Sequence, residues 1–203
     1  MRTRVIVGSL AVLLVLTACT TGEPSAVPTS APEPTSAAST TIAIAPGAIA
    51  ADCQNVVDAA TYAATFGTTP LNDPGLGYSD RLGMQTPTTP AADATVEEIV
   101  DAGTQLRCVW RDPRADVTYL QVQIGSAAED VTSDYLAALA SEGYTCDETL
   151  EGSRCALVGT DSQYPVETGD TAFVRGDIVI RIDQANFPTD NLLGAVVSTV
   201  WPE

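Results

Sequence analysis

The run Gln105-Leu106-Arg107-Cys108-Val109-Trp110-Arg111 changes direction at every second side chain. Leu106, Cys108 and Trp110 point one way, and Gln105, Arg107, Val109 and Arg111 the other, as in a strand with one buried face. Asp112-Pro113-Arg114-Ala115-Asp116 supplies a turn, and Leu120, Val122 and Ile124 give the returning strand its own apolar face. Two further hairpins follow. Residues 144–150 are expected to pair with 153–158, and 172–174 with 178–183, where Ile178, Ile180 and Ile182 face inward.

Around these runs the period lengthens to that of helices. Residues 52–66 place Val56, Ala60, Ala63 and Ala64 on one face and close on Gly67. Thr95-x-x-Glu98 is a capping box opening a short helix that ends before Gly103. Ser126-x-x-Glu129 reads as a second, ahead of a stripe of Val131, Tyr135, Ala138 and Leu139 that stops at Gly143. Asp190 is placed to cap a last helix carrying Leu192, Leu193, Val196, Val197 and Val200. Residues 67–94 are rich in Pro, Gly, Asn and Asp and read as a long loop, a common location for binding. Successive hairpins imply an antiparallel sheet, and the amphipathic helices are expected to pack on one of its faces. The fold class is α+β.

Ahead of this domain, residues 51–203, lie two other regions. Residues 5–16 are apolar and follow Arg2 and Arg4. About a dozen apolar residues are too few to span a bilayer and suit a signal-peptide core. Leu16-Thr17-Ala18-Cys19 then resembles a bacterial lipobox: a Leu, two small residues and a Cys. The resemblance implies that residues 1–18 are removed and that Cys19 carries a diacylglyceryl group through a thioether. Residues 20–50 are almost wholly Ala, Pro, Ser, Thr and Gly, and so cannot offset their own ordering entropy. With Cys19 they form a tether of residues 19–50, reaching at most roughly 90 Å at about 3.1 Å per residue. Ser and Thr beside Pro suit O-glycosylation. Within the tether, Thr41-Ile42-Ala43-Ile44-Ala45 alternates in the pattern of a docking edge strand.

The lipobox also organises the cysteines. Of five, Cys19 goes to lipid, leaving Cys53, Cys108, Cys146 and Cys155, an even set that outside the cytoplasm reads as two disulfides. Zinc is the rival, but there is no His and no Cys-x-x-Cys pair. Cys146 and Cys155 sit in opposite arms of one hairpin, near-symmetric about Leu150-Glu151, so their pairing is expected. Cys53, at the start of the first helix, then pairs with Cys108 beside Trp110.

The chain has 26 acids, nine bases and no Lys, for a net charge of −17. Loss of Arg2 and Arg4 leaves seven Arg against 26 acids, near −19. Such a body cannot neutralise phosphates, which disfavours nucleic acid. It is also repelled by anionic headgroups, so the lipid must hold it to the membrane. A plain source of the acid excess is solubility in an outward-facing compartment.

The order of features resembles one family. A lipobox and a Thr/Pro/Ser/Ala tether precede Cys53, which opens a helix closing on Phe66-Gly67, and Cys108-Val109-Trp110 follows on a strand. This is similar to the small actinobacterial lipoproteins that carry a domain of unknown function. The all-Arg, Ala/Thr-rich composition is compatible with a high-G+C source. The resemblance implies a non-enzymatic surface protein and brings no activity, cofactor or catalytic residue with it.

The absent residues narrow the chemistry. Without His there is no Ser-His-Asp or Cys-His machinery, and without Lys no Schiff base. No glycine-rich phosphate loop opens a helix. Paired carboxylates acting on a glycosidic bond survive, with Glu97/Glu98, Asp112/Asp116 and Asp177/Asp183 as candidates. Capping accounts for Glu98, a turn for Asp112 and Asp116, and a hairpin for Asp177. Arg175-Gly176-Asp177 spells an adhesion tripeptide where a turn is required. Asp147-Glu148 with Glu151 is acidic enough for Ca²⁺ but lacks an alternating ligand loop. Trp110 suits the core beside Cys108 better than a ligand platform. The expected protein is a lipid-anchored, extracytoplasmic binding or accessory module, without cofactor or metal. Its partner would be an envelope protein, a cell-wall component or a small ligand, met by the 67–94 loop and the uncovered sheet face. A carboxylate hydrolase and a purely structural lipoprotein are the alternatives.

Cys19→Ala should leave the precursor unprocessed or release the protein, while Cys53→Ala should lower stability without altering anchoring. Mass spectrometry of membrane and medium fractions checks this, and an acylated Cys19→Ala protein would refute the anchor.

Overall fold

The period-two runs assemble into one seven-stranded sheet in which every neighbouring pair is antiparallel. A computed structural model describes residues 46–77 and 79–202. The expected signal peptide, Cys19, the expected tether as far as residue 45 and the Thr41-to-Ala45 alternation lie outside the described residues. In chain order the elements are α1 (Ala59–Thr65), β1 (Gly83–Met84), α2 (Val96–Ala102), β2 (Thr104–Trp110), β3 (Tyr119–Ser126) and α3 (Glu129–Ser141). They continue with β4 (Thr145–Thr149), β5 (Gly152–Thr160), β6 (Glu167–Arg175), β7 (Ile178–Ala185) and α4 (Leu192–Val200). Across the sheet the order is β1-β2-β3-β7-β6-β5-β4. After β3, α3 carries the chain to the far edge, and β4 to β7 meander back until β7 pairs with β3.

The expected hairpins are present. Leu150 and Glu151 both take positive φ, 51° and 59°, as a tight two-residue hairpin turn requires. The strands run further than the sequence pattern suggested. β6 begins at Glu167 because β5 offers it a partner through Thr160↔Glu167. The 67–94 loop is also more ordered than expected: β1 pairs with β2, and Leu71 bridges Trp110. Two residues are too short a run to show a period.

One face of the sheet carries the larger core. Leu106, Cys108 and Trp110 align with Leu120, Val122 and Ile124, then with Ile180, Ile182 and Phe173. Val56, Val57 and Phe66 cover one part of this face, and Leu192, Val196, Val197 and Val200 of α4 another. Trp110 is fully buried, stacked on Phe66 at 3.9 Å between ring centres, and its Nε1 donates to Tyr62 Oη at 3.2 Å. The opposite face has its own cluster, in which Val100 of α2 and Tyr135 and Leu139 of α3 pack with Cys155, Ala172, Val174 and Val179. The helices therefore divide between both faces, a correction to the expectation of one. Central strands such as β6 bury residues of both parities, Phe173 on one side and Ala172 and Val174 on the other, so each side needs a cover.

Three local expectations are corrected. Residues 52–66 form a 3₁₀ turn, Cys53–Asn55, and then α1, because two carboxylates cap twice. Asp52 Oδ1 accepts from Gln54 and Asn55 N–H, and Asp58 Oδ1 from Ala60 and Thr61 N–H. The break lets adjacent Val56 and Val57 both be buried, while Ala60, Ala63 and Ala64 are exposed. Ser126 caps nothing: Ala128 precedes α3 without a side-chain cap, and Ser126 Oγ accepts from Gln105 Nε2 at 2.9 Å. At α4 the cap position falls to Asn191 rather than Asp190, again without a side-chain bond. By contrast, the Thr95/Glu98 capping box is complete.

The ordered body begins before residue 51. Ala50 lies in the core, Ile49 packs on it, and Ala48 N–H donates to Val200 O at 2.8 Å. A Cβ on Gly47 would come within 2.5 Å of Ile178 Cδ1 and 2.8 Å of Trp201, so only glycine lets the chain lie this close.

Both disulfides pair as expected. Cys53–Cys108 ties the first 3₁₀ turn to the middle of β2, with Cα atoms 5.5 Å apart, and Cys146–Cys155 joins directly opposed residues of β4 and β5. Loop entropy ranks them: removing the first should cost about 4 kcal/mol and the second about 2.7 kcal/mol. Urea unfolding of Cys53→Ala/Cys108→Ala against Cys146→Ala/Cys155→Ala checks the order, and a larger loss in the second pair would contradict it.

Candidate functional site

Arg107, Gln123 and Arg181 occupy one cross-strand row, since Arg107 is opposite Gln123 and Gln123 opposite Arg181. They project from β2, β3 and β7 on the face that α2 and α3 cover. Each stands between buried apolar neighbours of the other parity, such as Ile180 and Ile182 around Arg181. The alternation that makes the large core thus sends these polar groups to the opposite side.

α2 supplies their counter-charges. Arg107 donates to Asp101 Oδ1 at 2.6 Å, and Arg181 donates to Glu97 Oε1 at 3.0 Å, with Asp101 Oδ1 4.0 Å away. Gln123 is buried, and its amide oxygen, in the orientation its neighbours require, accepts from Arg107 at 2.8–3.1 Å. The Arg181 guanidinium also lies 6.0 Å from the Tyr135 ring centre. Burial pushes the Tyr135 hydroxyl up to about 12, the Arg181 charge pulling the other way. α2 comes this close to the sheet because Gly103 and Gly125 touch; a Cβ on Gly125 would fall 2.5 Å from Gly103 O.

A cavity of about 680 Å³ opens between this row, α2 and the segment before it. Arg107, Gln121, Gln123 and Arg181 form its sheet side, Glu97, Glu98 and Asp101 its helix side, and Thr88, Pro90, Ala91 and Asp93 its outer wall. Polar groups dominate. A second hollow shares Thr88, Asp101, Ala102 and Arg107 and reaches Arg81 and Gln85, so the two form one groove.

Beside Arg181, two carboxylates face each other across strands, Asp170 of β6 and Asp183 of β7. Tyr144 Oη donates to Asp170 Oδ2 at 2.8 Å and Tyr119 Oη to Asp183 Oδ1 at 3.0 Å. Burial raises the Asp183 carboxyl above its usual range; the Tyr119 bond opposes this, the Asp170 charge adds to it, and Arg181 opposes it. Burial and the adjacent carboxylates raise both tyrosines.

Most of the carboxylates singled out in the sequence are spent on structure, while Asp116 and Asp177 contribute through their backbone carbonyls, which accept from Arg111 Nη2 and Ala127 N–H. Glu98 closes the capping box and Glu97 holds Arg181. Asp112 is held down at about 2 by side-chain bonds from Arg114. Asp177, in the turn before β7, and Asp183, near the far end of that strand, stand about 20 Å apart at roughly 3.3 Å per residue, too far for one glycosidic bond. Asp147 pairs with Arg154, Glu148 accepts from Ser153 Oγ, and Glu151 pairs with Arg175. In the adhesion-like tripeptide, Gly176 makes the β6–β7 turn at φ 63°, and Arg175 lies 4.9 Å over the Trp201 ring. Trp110 is core. The reading of sequence missed Arg107, Gln121, Gln123, Arg181 and the Asp170/Asp183 pair. Their one signal was polarity on strands whose other face is largely apolar.

Compared with known proteins, the chain matches no family model, no curated protein and no solved structure. No described helix is long and apolar enough to cross a membrane.

Asp183 gives the site a signed pH response. Its folded pKa lies above the unfolded value of 3.8, so its contribution to stability is greatest below that value. The contribution is lost as pH rises through the raised pKa. Asp183→Asn keeps an oxygen for Tyr119 and removes the charge, so it should melt higher than the parent at about pH 7 and level with it near pH 3. Calorimetric Tm across that range checks it; a variant less stable at neutral pH would show that the carboxylate is needed charged.

Proposed function

We propose that this chain is an extracytoplasmic binding or accessory module, anchored by lipid on Cys19 and working without catalysis. The observation that carries the reading is the groove between α2 and the sheet. It is a concave site of ligand size, within the range of roughly 300–1,000 Å³, with two guanidiniums and two amides on its floor. The guanidiniums are fixed on strands rather than loops, which suits recognition. The outer wall comes from the end of the 67–94 segment, beside the sheet.

The resemblance to small actinobacterial lipoproteins supports a surface role, and the lipobox pattern and tether support placement outside the membrane. Net charge argues against nucleic acid as partner. A hydrolase of the paired-carboxylate kind needs two acids free to act; in this groove Glu97 and Asp101 are paired with arginines and Glu98 with its cap, which leaves Asp93 alone. That favours binding over turnover.

Soluble cell-wall fragments titrated into the protein should shift the NMR signals of the Gln121 and Gln123 side chains without being cleaved. Arg181→Gln should weaken that binding by about tenfold to a hundredfold, the usual cost of truncating a charged hydrogen bond. Cleavage of the fragments by the purified protein would overturn the reading.

A further inference from the structure

Resting on the groove as a binding site, we infer that its ligand is a zwitterion, an amino acid or short peptide with a free ammonium and a free carboxylate. Charge in the groove is layered. Its floor holds the guanidiniums of Arg107 and Arg181, with side chains 20% and 21% exposed. The helix side and outer wall hold Asp93, Glu97, Glu98 and Asp101, and the two acids paired with the floor are 49% and 64% exposed. The cations are therefore built in, and the acids that neutralise them stand in water.

Each simpler ligand meets an obstacle. An anion binding the floor would displace Glu97 and Asp101 and face all four acids without compensation. A cation at the rim would draw those acids away and leave half-buried guanidiniums unpaired, which is costly. A neutral ligand gains nothing from the ion pairs. A zwitterion exchanges partners without changing net charge: its carboxylate takes the places of Glu97 and Asp101 on the guanidiniums, and the released acids take its ammonium. Guanidinium suits this because its fork matches a carboxylate at two points. Gln123 supports the exchange. Buried, neutral and bonded to Arg107, it orients that guanidinium without satisfying its charge, so the floor is organised before the ligand arrives.

The experiment is calorimetric titration of the whole mature chain with alanylalanine, its N-acetyl form and its C-terminal amide, with a neutral N-acetylglucosamine disaccharide for comparison. Alanylalanine should bind, and blocking either end should weaken it by at least about tenfold. Glu97→Gln, an exposed rim change outside the core, should narrow the gap between the free and N-acetylated dipeptides. Arg181→Gln should narrow the gap between the free dipeptide and its amide. Equal affinity for free and blocked dipeptides overturns the proposal. Binding of the disaccharide alone also overturns it but leaves the groove a binding site. Binding of neither overturns both.

Discussion

The bond between Cys53 and Cys108 is the constraint around which the larger core is organised. Cys108 lies in the middle of β2 with its side chain fully buried, so the tie holds the first 3₁₀ turn against the sheet. From there Val56 and Val57 reach the core, and α1 brings Tyr62 and Phe66 onto Trp110. The same strand needs its outer edge closed. Asn72 does part of this at φ 51°: its backbone N–H donates to Val109 O, and its Oδ1 accepts from Val109 N–H, both at 2.8 Å. β1 closes the other part. An edge that would otherwise offer unpaired backbone groups is covered from within the chain.

The two faces of the sheet answer different demands. The first is dry and dominated by aliphatic and aromatic side chains, so its covers need only shape and apolar area. The second carries an apolar cluster toward β5 and β6 and a charged row toward β2 and β3. Guanidiniums withdrawn from water need carboxylates, and α2 meets them with Glu97 and Asp101, held at their distance by the Gly103–Gly125 contact. In a chain of net charge −17, three of the seven Arg among the described residues line one groove. That concentration sets three guanidiniums against the four acids of the same groove, Asp93, Glu97, Glu98 and Asp101.

Most of the strand layout was legible because period-two alternation is a local property. Leu106, Cys108 and Trp110 declare their shared face without any tertiary information, and the symmetric placement of Cys146 and Cys155 about Leu150-Glu151 makes their pairing a matter of hairpin geometry. Local chemistry also misled. Ser126-x-x-Glu129 and Asp190 had the residue types of caps, but Ser126 found a better partner in Gln105 on β2, and the chain approaches α4 through Asn191 instead. The groove was illegible for a similar reason. Arg107, Gln123 and Arg181 are separated along the chain and become neighbours only through register, and their counter-ions come from a helix whose side of the sheet the sequence does not state.

What the amino-acid order determined by itself was the parity of each strand, the places where the chain turns and the two cysteine pairs, because each follows from neighbours a few residues away or from a count. Tertiary structure alone decided which helices cover which face, how far β5 and β6 extend, and that two guanidiniums meet the acids of α2 over a cavity. Those outcomes depend on strand register and on close backbone approach at Gly103 and Gly125. Both are set by the whole core packing at once, and no window of sequence contains them.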